Sequence, residues 1–259
     1  KGKEIVAAKK RGGTHVRTNG LIYSDEKFER DLENAGYKFE KTKTGYYVSM
    51  NPLLKKLFIE GRITYQSLTS TYAALALDVK DGQNVLDVCS APGGKAIFVA
   101  EKNPTANVVA CDIHPHRVEL IGAYARRMHV KNVTPTLFDG TAFNKEWAGY
   151  FDRVLCDVPC SAMGVVKKQP DVLLNRNEND IAALKKVQYS ILDNAKNYVK
   201  SGGLLVYSTC TIFKEENDDN VEEFLKNNND FEKYPSEFDG QYLPCDTHDG
   251  FFIRRLRRK

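Results

Sequence analysis

Asn84-Val85-Leu86-Asp87-Val88-Cys89-Ser90-Ala91-Pro92-Gly93-Gly94-Lys95 is an apolar run, then a glycine-rich turn, then the opening of a helical pattern over Lys95–Glu101. A near-continuous apolar run bounded by turn residues reads as a strand buried on both faces of a parallel sheet. Four more such runs follow: Asn107–Cys111, Val133–Phe138, Arg153–Cys156 and Leu204–Tyr207. Helical patterns separate or follow them, at Pro115–Met128, at Ile181–Tyr198 (apolar at 181, 184, 187, 191 and 195) and at Asp218–Leu225. Strands alternating with helices predict an α/β fold with a doubly wound parallel sheet, whose reactive crevice lies at the carboxyl ends of its strands. Gly250–Ile253 reads as a closing edge strand, paired with Phe231–Tyr234.

Upstream, residues 14–50 form a different pattern. Val16–Ile22 is strand-like. Ser24 caps a helix with Asp25 and Glu26 in its first turn, Phe28, Leu32 and Ala35 on one face, and Gly36 as its stop. Tyr37–Phe39 and Tyr46–Val48 flank Thr44-Gly45 as a hairpin. Such a small β-α-β-β module could stack bases on its tyrosines, or bury them in its own core. Residues 51–70 read as a connector, and Thr69–Leu77 as a helix packing into the next domain. The division expected is 1–72 as N-terminal module and connector, and 73–259 as the main domain.

Composition narrows the classes. The 259 residues are 42% hydrophobic and 28% charged, with no run of about 18 apolar residues that would span a membrane. Lys1 opens the chain in place of Met, and no apolar signal segment follows, so a fragment or processed form of a cytoplasmic protein is expected. The net charge is +4, yet residues 1–17 contribute +5 and residues 254–259 another +5, leaving −6 between them. Basic ends on an acidic body suit either contact with a polyanion or solvated tails. The six cysteines, at 89, 111, 156, 160, 210 and 245, form no CxxC pair and have no histidine at zinc-finger spacing. Reduced thiols and no metal are expected. Nothing in the chain calls for an oligomer, so a monomer is expected.

The strand ends carry the chemistry. The turn Cys89-Ser90-Ala91-Pro92-Gly93-Gly94-Lys95 lets backbone N–H groups approach a ligand closely. Asp112, 25 residues beyond Asp87, ends the second run, where a carboxylate can hold both ribose hydroxyls of an adenosine cofactor. Asp139 ends the third and can meet the adenine amino group. The turn departs from G-x-G-x-x-G and contains Pro92, which favours S-adenosylmethionine, a cofactor without a pyrophosphate, over NAD. Cys160 and Cys210 follow the fourth and fifth runs. Carbon 5 of cytosine becomes nucleophilic only after a thiolate adds at carbon 6. That chemistry needs an activated cysteine, an acid near N3 and help in release, groups that Cys210, Asp157 and Cys160 supply, with Lys95 near enough to lower a thiol pKa or bind substrate. Taken singly, Asp157 would be a turn former, either cysteine a small buried hydrophobe, and Lys95 a first-turn helix residue.

Asp87-Val-Cys-Ser-Ala-Pro-Gly-Gly-Lys95, Asp157-Val-Pro-Cys-Ser-Ala-Met-Gly-Val165 and Tyr207-Ser-Thr-Cys210 followed by Glu216-Asn217 resemble the Nol/Nop/Sun RNA 5-methylcytosine methyltransferases. Gly164-Val-Val-Lys-Lys-Gln-Pro-Asp171 and Asp249-Gly-Phe-Phe252 resemble the bacterial small-subunit (16S) rRNA branch. The resemblance implies a Rossmann-like class I S-adenosylmethionine methyltransferase sheet with a small α+β RNA-recognition-like module before it. It implies Cys210 as nucleophile, Cys160 in release, and Cys89–Lys95, Asp112, Asp139 and Asp157 around the cofactor and base. RNA is the implied partner, with tRNA as the alternative substrate and a catalytically idle RNA-binding factor as the alternative class. A dehydrogenase would leave Cys160 and Cys210 unexplained. Members of that branch usually carry an N-terminal helical domain resembling the antitermination factor NusB, which this sequence lacks.

Overall fold

The computed structural model describes residues 13–173 and 178–259, without the side chains of residues 173 and 178; the basic stretch 1–12 lies outside the described residues. The first elements are β1 (Thr14–Thr18), α1 (Asp25–Asn34), β2 (Phe39–Lys41), β3 (Tyr46–Val48), α2 (Pro52–Ile59) and β4 (Ile63–Tyr65). The four strands make an antiparallel sheet in the order β2-β3-β1-β4. Ser24 caps α1 as its sequence foretells, its side chain accepting from the Lys27 N–H. Period-two alternation divides the two tyrosines of β3: Tyr46 is fully buried with Val16, Phe28, Leu32 and Ile63, while Tyr47 is half-buried on the other face.

Two sequence expectations need correction here. Residues 51–70 are no connector: they hold α2, capped by Asn51 with Pro52 in its first turn, and β4, which pairs with β1. The cap was legible. A three-residue strand such as Ile63-Thr64-Tyr65 carries too little pattern to be read without its partner. The first strand also ends at Thr18 rather than Ile22, because Ile22 and Tyr23 donate back to the Asn19 carbonyl in a turn.

The main sheet follows α3 (Leu68–Ala76). Its elements are β5 (Asn84–Asp87), α4 (Gly94–Lys102), β6 (Asn107–Asp112), α5 (Pro115–Arg127), β7 (Val133–Leu137), β8 (Phe151–Asp157), α6 (Glu178–Ala195), β9 (Val199–Thr209), α7 (Asp218–Asn227), β10 (Phe231–Lys233), β11 (Gly240–Tyr242) and β12 (Phe251–Arg258). The order is β10-β12-β9-β8-β5-β6-β7, with β11 also on β12. The strands from β7 to β9 are parallel, and β12, β10 and β11 are antiparallel additions. Helices cover both faces. Ala73, Ile97 and Ile121 pack with Val85, Val108, Leu155 and Val206, while Ile191, Leu192 and Phe224 pack with Leu86, Cys111, Val154 and Leu205. The winding direction reverses between β5 and β8, and a switch point of this kind opens a crevice at the strands' carboxyl ends.

The last strand also departs from expectation. β12 meets β10 through Leu256–Arg258 and not through Gly250–Ile253, whose Phe251–Ile253 pairs with β11; the strand is interior and lies against β9 from Phe252↔Thr209 to Arg257↔Leu204. The basic end is therefore structural. Arg254 pairs with Asp218 at 2.9 Å, Arg258 with Asp230 at 3.3 Å, and Arg257 with Glu232. Among the described residues no helix is long and apolar enough to cross a membrane.

One buried ion pair bolts the small sheet to the main one. Arg17 on β1 bridges Glu101 on α4, both side chains 1% exposed, and its guanidinium lies 4.5 Å over the Phe98 ring. Glu101 also accepts from the Gly20 N–H at 3.0 Å, and the Asn19 amide donates to the Gly61 and Met128 carbonyls at 2.9 and 2.7 Å. Removing one partner of a buried pair leaves an uncompensated charge, so Glu101→Ala should cost about 3–5 kcal/mol in urea unfolding. Adding Arg17→Met should recover much of that loss; a Glu101→Ala cost below about 1 kcal/mol would show the pair to be screened like a surface bridge.

Candidate active site

The turn after β5 brings the chain from strand to helix within six residues, with Gly93 at φ +106°, a left-handed conformation that disfavours any side chain. The next strand tips contribute carboxylates. Asp112, 3% exposed, accepts from the His114 N–H at 3.0 Å and faces the Arg117 guanidinium at 3.2 Å. Asp139 is exposed and accepts from the N–H and hydroxyl of Thr141, so one of its oxygens forms a turn. Asp157 ends β8, where one oxygen accepts from Lys95 at 2.5 Å and the other from the Ser208 hydroxyl at 2.7 Å. Lys95 is also 5.4 Å from the centre of the Phe251 ring.

Cys160 and Cys210 meet. Their sulfurs are 3.1 Å apart, unbonded, and each residue is partly exposed. Cys160 donating its S–H draws Cys210 below the ordinary thiol range, against burial and the Asp157 charge and with help from the Lys95 ammonium. Cys160 moves the opposite way, well above the range, because it holds that shared proton and is buried. The Cys210 N–H donates to the Cys160 sulfur at 3.3 Å and favours a Cys160 thiolate, but burial outweighs it. Cys89, Cys111 and Cys156 are all raised by burial, so Cys210 is the thiol poised to ionise. Burial lowers Lys95, but the adjoining Asp157 carboxylate more than offsets this and holds the ammonium above its ordinary range.

These groups share a cavity of about 460 Å³. Of the residues singled out from sequence, Cys89, Ala91, Asp112, Asp139, Asp157, Cys160 and Cys210 line it. Ser90, Pro92, Gly93 and Gly94 shape the turn without reaching the cavity wall, and Lys95 stands behind Asp157. Three residues at the site escaped sequence reasoning. Asp87 is buried, and burial together with the Asp157 charge, opposed by Lys95, pushes it up to about 7. Arg117 lines the cavity beside Asp112 and donates to the Ala91 carbonyl at 3.2 Å.

Glu216 is the third. Fully buried, it accepts from the Ser161 N–H at 2.9 Å, the Ser161 hydroxyl and the Gln188 amide at 2.8 Å. Its position just after Tyr207–Cys210 was visible in the sequence, but the three donors come from distant segments. Close backbone contact ties the same loops: the Gly164 N–H donates to the Cys210 carbonyl at 2.8 Å, and a Cβ on Gly164 would stand 2.2 Å from the Gly250 carbonyl oxygen. Only glycine fits there.

The sulfur pair makes a testable statement about pH. Alkylation of Cys210 by iodoacetamide should show its inflection below that of an ordinary cysteine, since the thiolate is the reactive form. Cys160→Ala removes the donor to that thiolate and should move the inflection upward. Peptide mapping by mass spectrometry reads each site, and an inflection that stays in place would mean Cys160 does not activate Cys210.

Residues 74–257 match the family 16S rRNA methyltransferase RsmB/F. The chain is 38% identical over 209 residues to ribosomal RNA small subunit methyltransferase B of Salmonella paratyphi B, covering 78% of this chain and 48% of that protein. It thus spans about half the length of the curated relative. Among solved structures it superposes on PH0851 with a TM-score of 0.91 at 29% identity, over 98% of this chain and 61% of that one. It also superposes on NSun6 from Pyrococcus horikoshii, crystallised with SFG, at a TM-score of 0.83 and 20% identity, over 99% and 93% of the two chains; at that identity the likeness speaks to fold alone. A turn, three carboxylates and two thiols set on successive strand tips thus coincide with a family match over most of the chain: it belongs to the 16S rRNA methyltransferase RsmB/F family.

Proposed function

We propose that the protein transfers a methyl group from S-adenosylmethionine to carbon 5 of a cytosine in small-subunit rRNA, through a covalent adduct on Cys210. The observation that carries this reading is the pair of sulfurs 3.1 Å apart opening on one cavity with Asp112, Asp139 and Asp157. Carboxylates on three sides suit a cationic nucleoside and repel a nucleotide's phosphates, so the residues present fit that cofactor. Asp112 would hold the ribose hydroxyls, Asp139 the adenine amino group, and Cys89 and Ala91 of the turn the remainder. When bound, S-adenosylmethionine supplies an electrophilic methyl group.

Cys210 then acts as a thiolate on carbon 6 of the base, and the ring's electrons shift toward carbon 5 and N3. Lys95 and Asp157 form the proton-bearing unit beside the base. Asp157, at the cavity wall, would present to N3 a proton relayed from the Lys95 ammonium bonded to it, and take it back when the adduct breaks. After methyl transfer the carbon 5 proton leaves to water, the bond between carbon 6 and Cys210 breaks, and the electron pair returns to sulfur. Cys160 donates its S–H to the departing Cys210 sulfur and so stabilises it as a leaving group. The target base has to leave its stack to reach both sulfurs, and a looped or single-stranded cytosine loses least in doing so. Residues 1–72 would serve as the module that receives the RNA.

Two experiments test this. Asp112→Ala should weaken S-adenosylmethionine binding by about 1.5–3 kcal/mol in calorimetry, the value of a hydrogen bond to a charged group; unchanged affinity would remove Asp112 from the site. With RNA carrying 5-fluorocytosine, Cys210→Ala should give neither product nor covalent complex. On ordinary RNA, Cys160→Ala should accumulate a protein–RNA complex that survives denaturing electrophoresis. Trapping by Cys210→Ala instead would reverse the two roles. Mapping the labelled nucleotide in bulk RNA distinguishes rRNA from tRNA.

A further inference from the structure

A second cavity, of about 340 Å³, lies where the small sheet meets the loops that follow β8 and precede β12. Thr14, His15, Tyr47, Lys167, Lys168 and His248 line it. The charges there are unequal in their pairing. Lys168 is bridged to Asp249 at 2.7 Å, and Asp246 stands exposed at the rim. The Lys167 ammonium is shielded from solvent and has no hydrogen-bond partner among the described residues. A shielded ammonium without a counter-charge is costly, and natural sites offset that cost by pairing it. His15 cannot compete for an anion: burial, against its bond to the Gln66 carbonyl, lowers it to about 4, so the ring is neutral near pH 7. Its edge packs on Tyr47 with centroids 5.1 Å apart, and the Tyr47 hydroxyl donates to the Thr247 carbonyl. An aromatic ring and the Lys167 ammonium therefore line the same cavity.

The position of Lys167 joins this cavity to the thiols. It lies three residues beyond Gly164, whose N–H donates to the Cys210 carbonyl and whose own carbonyl accepts from the Gly250 N–H, both at 2.8 Å. An ion held by Lys167 is thus indexed to the tip of β9. A phosphate on an ammonium beside an aromatic ring is how single-stranded nucleic acid is commonly gripped. We propose that this cavity is an RNA subsite, in which Lys167 takes a backbone phosphodiester next to the target cytosine, beside the Tyr47 ring. The proposal rests on RNA being the substrate, as above, and fixes where the strand enters.

The test measures binding of a fluorescein-labelled single-stranded RNA containing cytosine as a function of salt. A single-strand phosphate contact contributes about 0.7 to the slope of log affinity against log salt. Lys167→Gln should lower the slope by about that amount and weaken binding roughly tenfold, whereas Lys167→Arg should keep both near wild type. Lys131→Gln removes an equal charge from an exposed site at the opposite end of the sheet and should leave the slope unchanged. Thermal melting confirms that each variant is folded. An unaltered slope in Lys167→Gln overturns the subsite, as does an equal fall in Lys131→Gln, which would make the effect one of net charge. Methyl transfer by the wild-type protein is scored separately, so failure of the catalytic reading and failure of the subsite are told apart.

Discussion

The site depends on one buried carboxylate. Glu216 takes its hydrogen bonds from Ser161 on the loop after β8 and from Gln188 on α6, while its own backbone carbonyl receives the Tyr207 hydroxyl at 2.6 Å. Ser161 adjoins Cys160, and Glu216 follows Cys210 by six residues. The two sulfurs are therefore held at 3.1 Å by an anchor that touches neither of them. A carboxylate at zero exposure is stable only with its oxygens satisfied. Satisfying them requires the two loops to come together, so one local demand sets the spacing of the reacting groups.

The Lys95–Asp157 bridge does comparable work for charge. It puts a cation near Cys210 that opposes the repulsion of the Asp157 carboxylate for a thiolate there. Cys160 and Cys210 are identical in type and nearly so in exposure, yet differ in the direction of their pKa because one donates and the other accepts. Two equal thiols acquire two roles from a single shared proton. Asp87, buried at the end of β5, adds a group whose protonation near neutrality responds to the charges of Asp157 and Lys95.

The junction between the two sheets fixes how the small module sits against the crevice. Arg17–Glu101 and the Asn19 amide fasten β1 to α4 and to the end of α5, giving the module a fixed bearing on the crevice. Tyr47 then faces the loop that carries Lys167, and Gly164 and Gly250 bring that loop against the Cys210 backbone. Glycine is required at Gly164 because a side chain there would occupy the space of two carbonyls.

The parallel sheet, its order of strands and helices, the turn at Cys89–Lys95 and the positions of Asp112, Asp139, Asp157, Cys160 and Cys210 at strand tips were all legible in the linear chain. Apolar periodicity and turn chemistry are local properties, and a parallel sheet places every strand's carboxyl end on one side. What was missed needed partners distant in sequence. β4 exists because β1 is there to pair with it; the arginines after Ile253 form a strand because β9 and β10 flank them and Asp218, Asp230 and Glu232 meet them. Which thiol ionises, what Glu216 anchors and which cavity Lys167 lines were likewise decided only in the folded chain. Desolvation and pairing depend on what surrounds a group in space, and the order of residues along the chain does not record it.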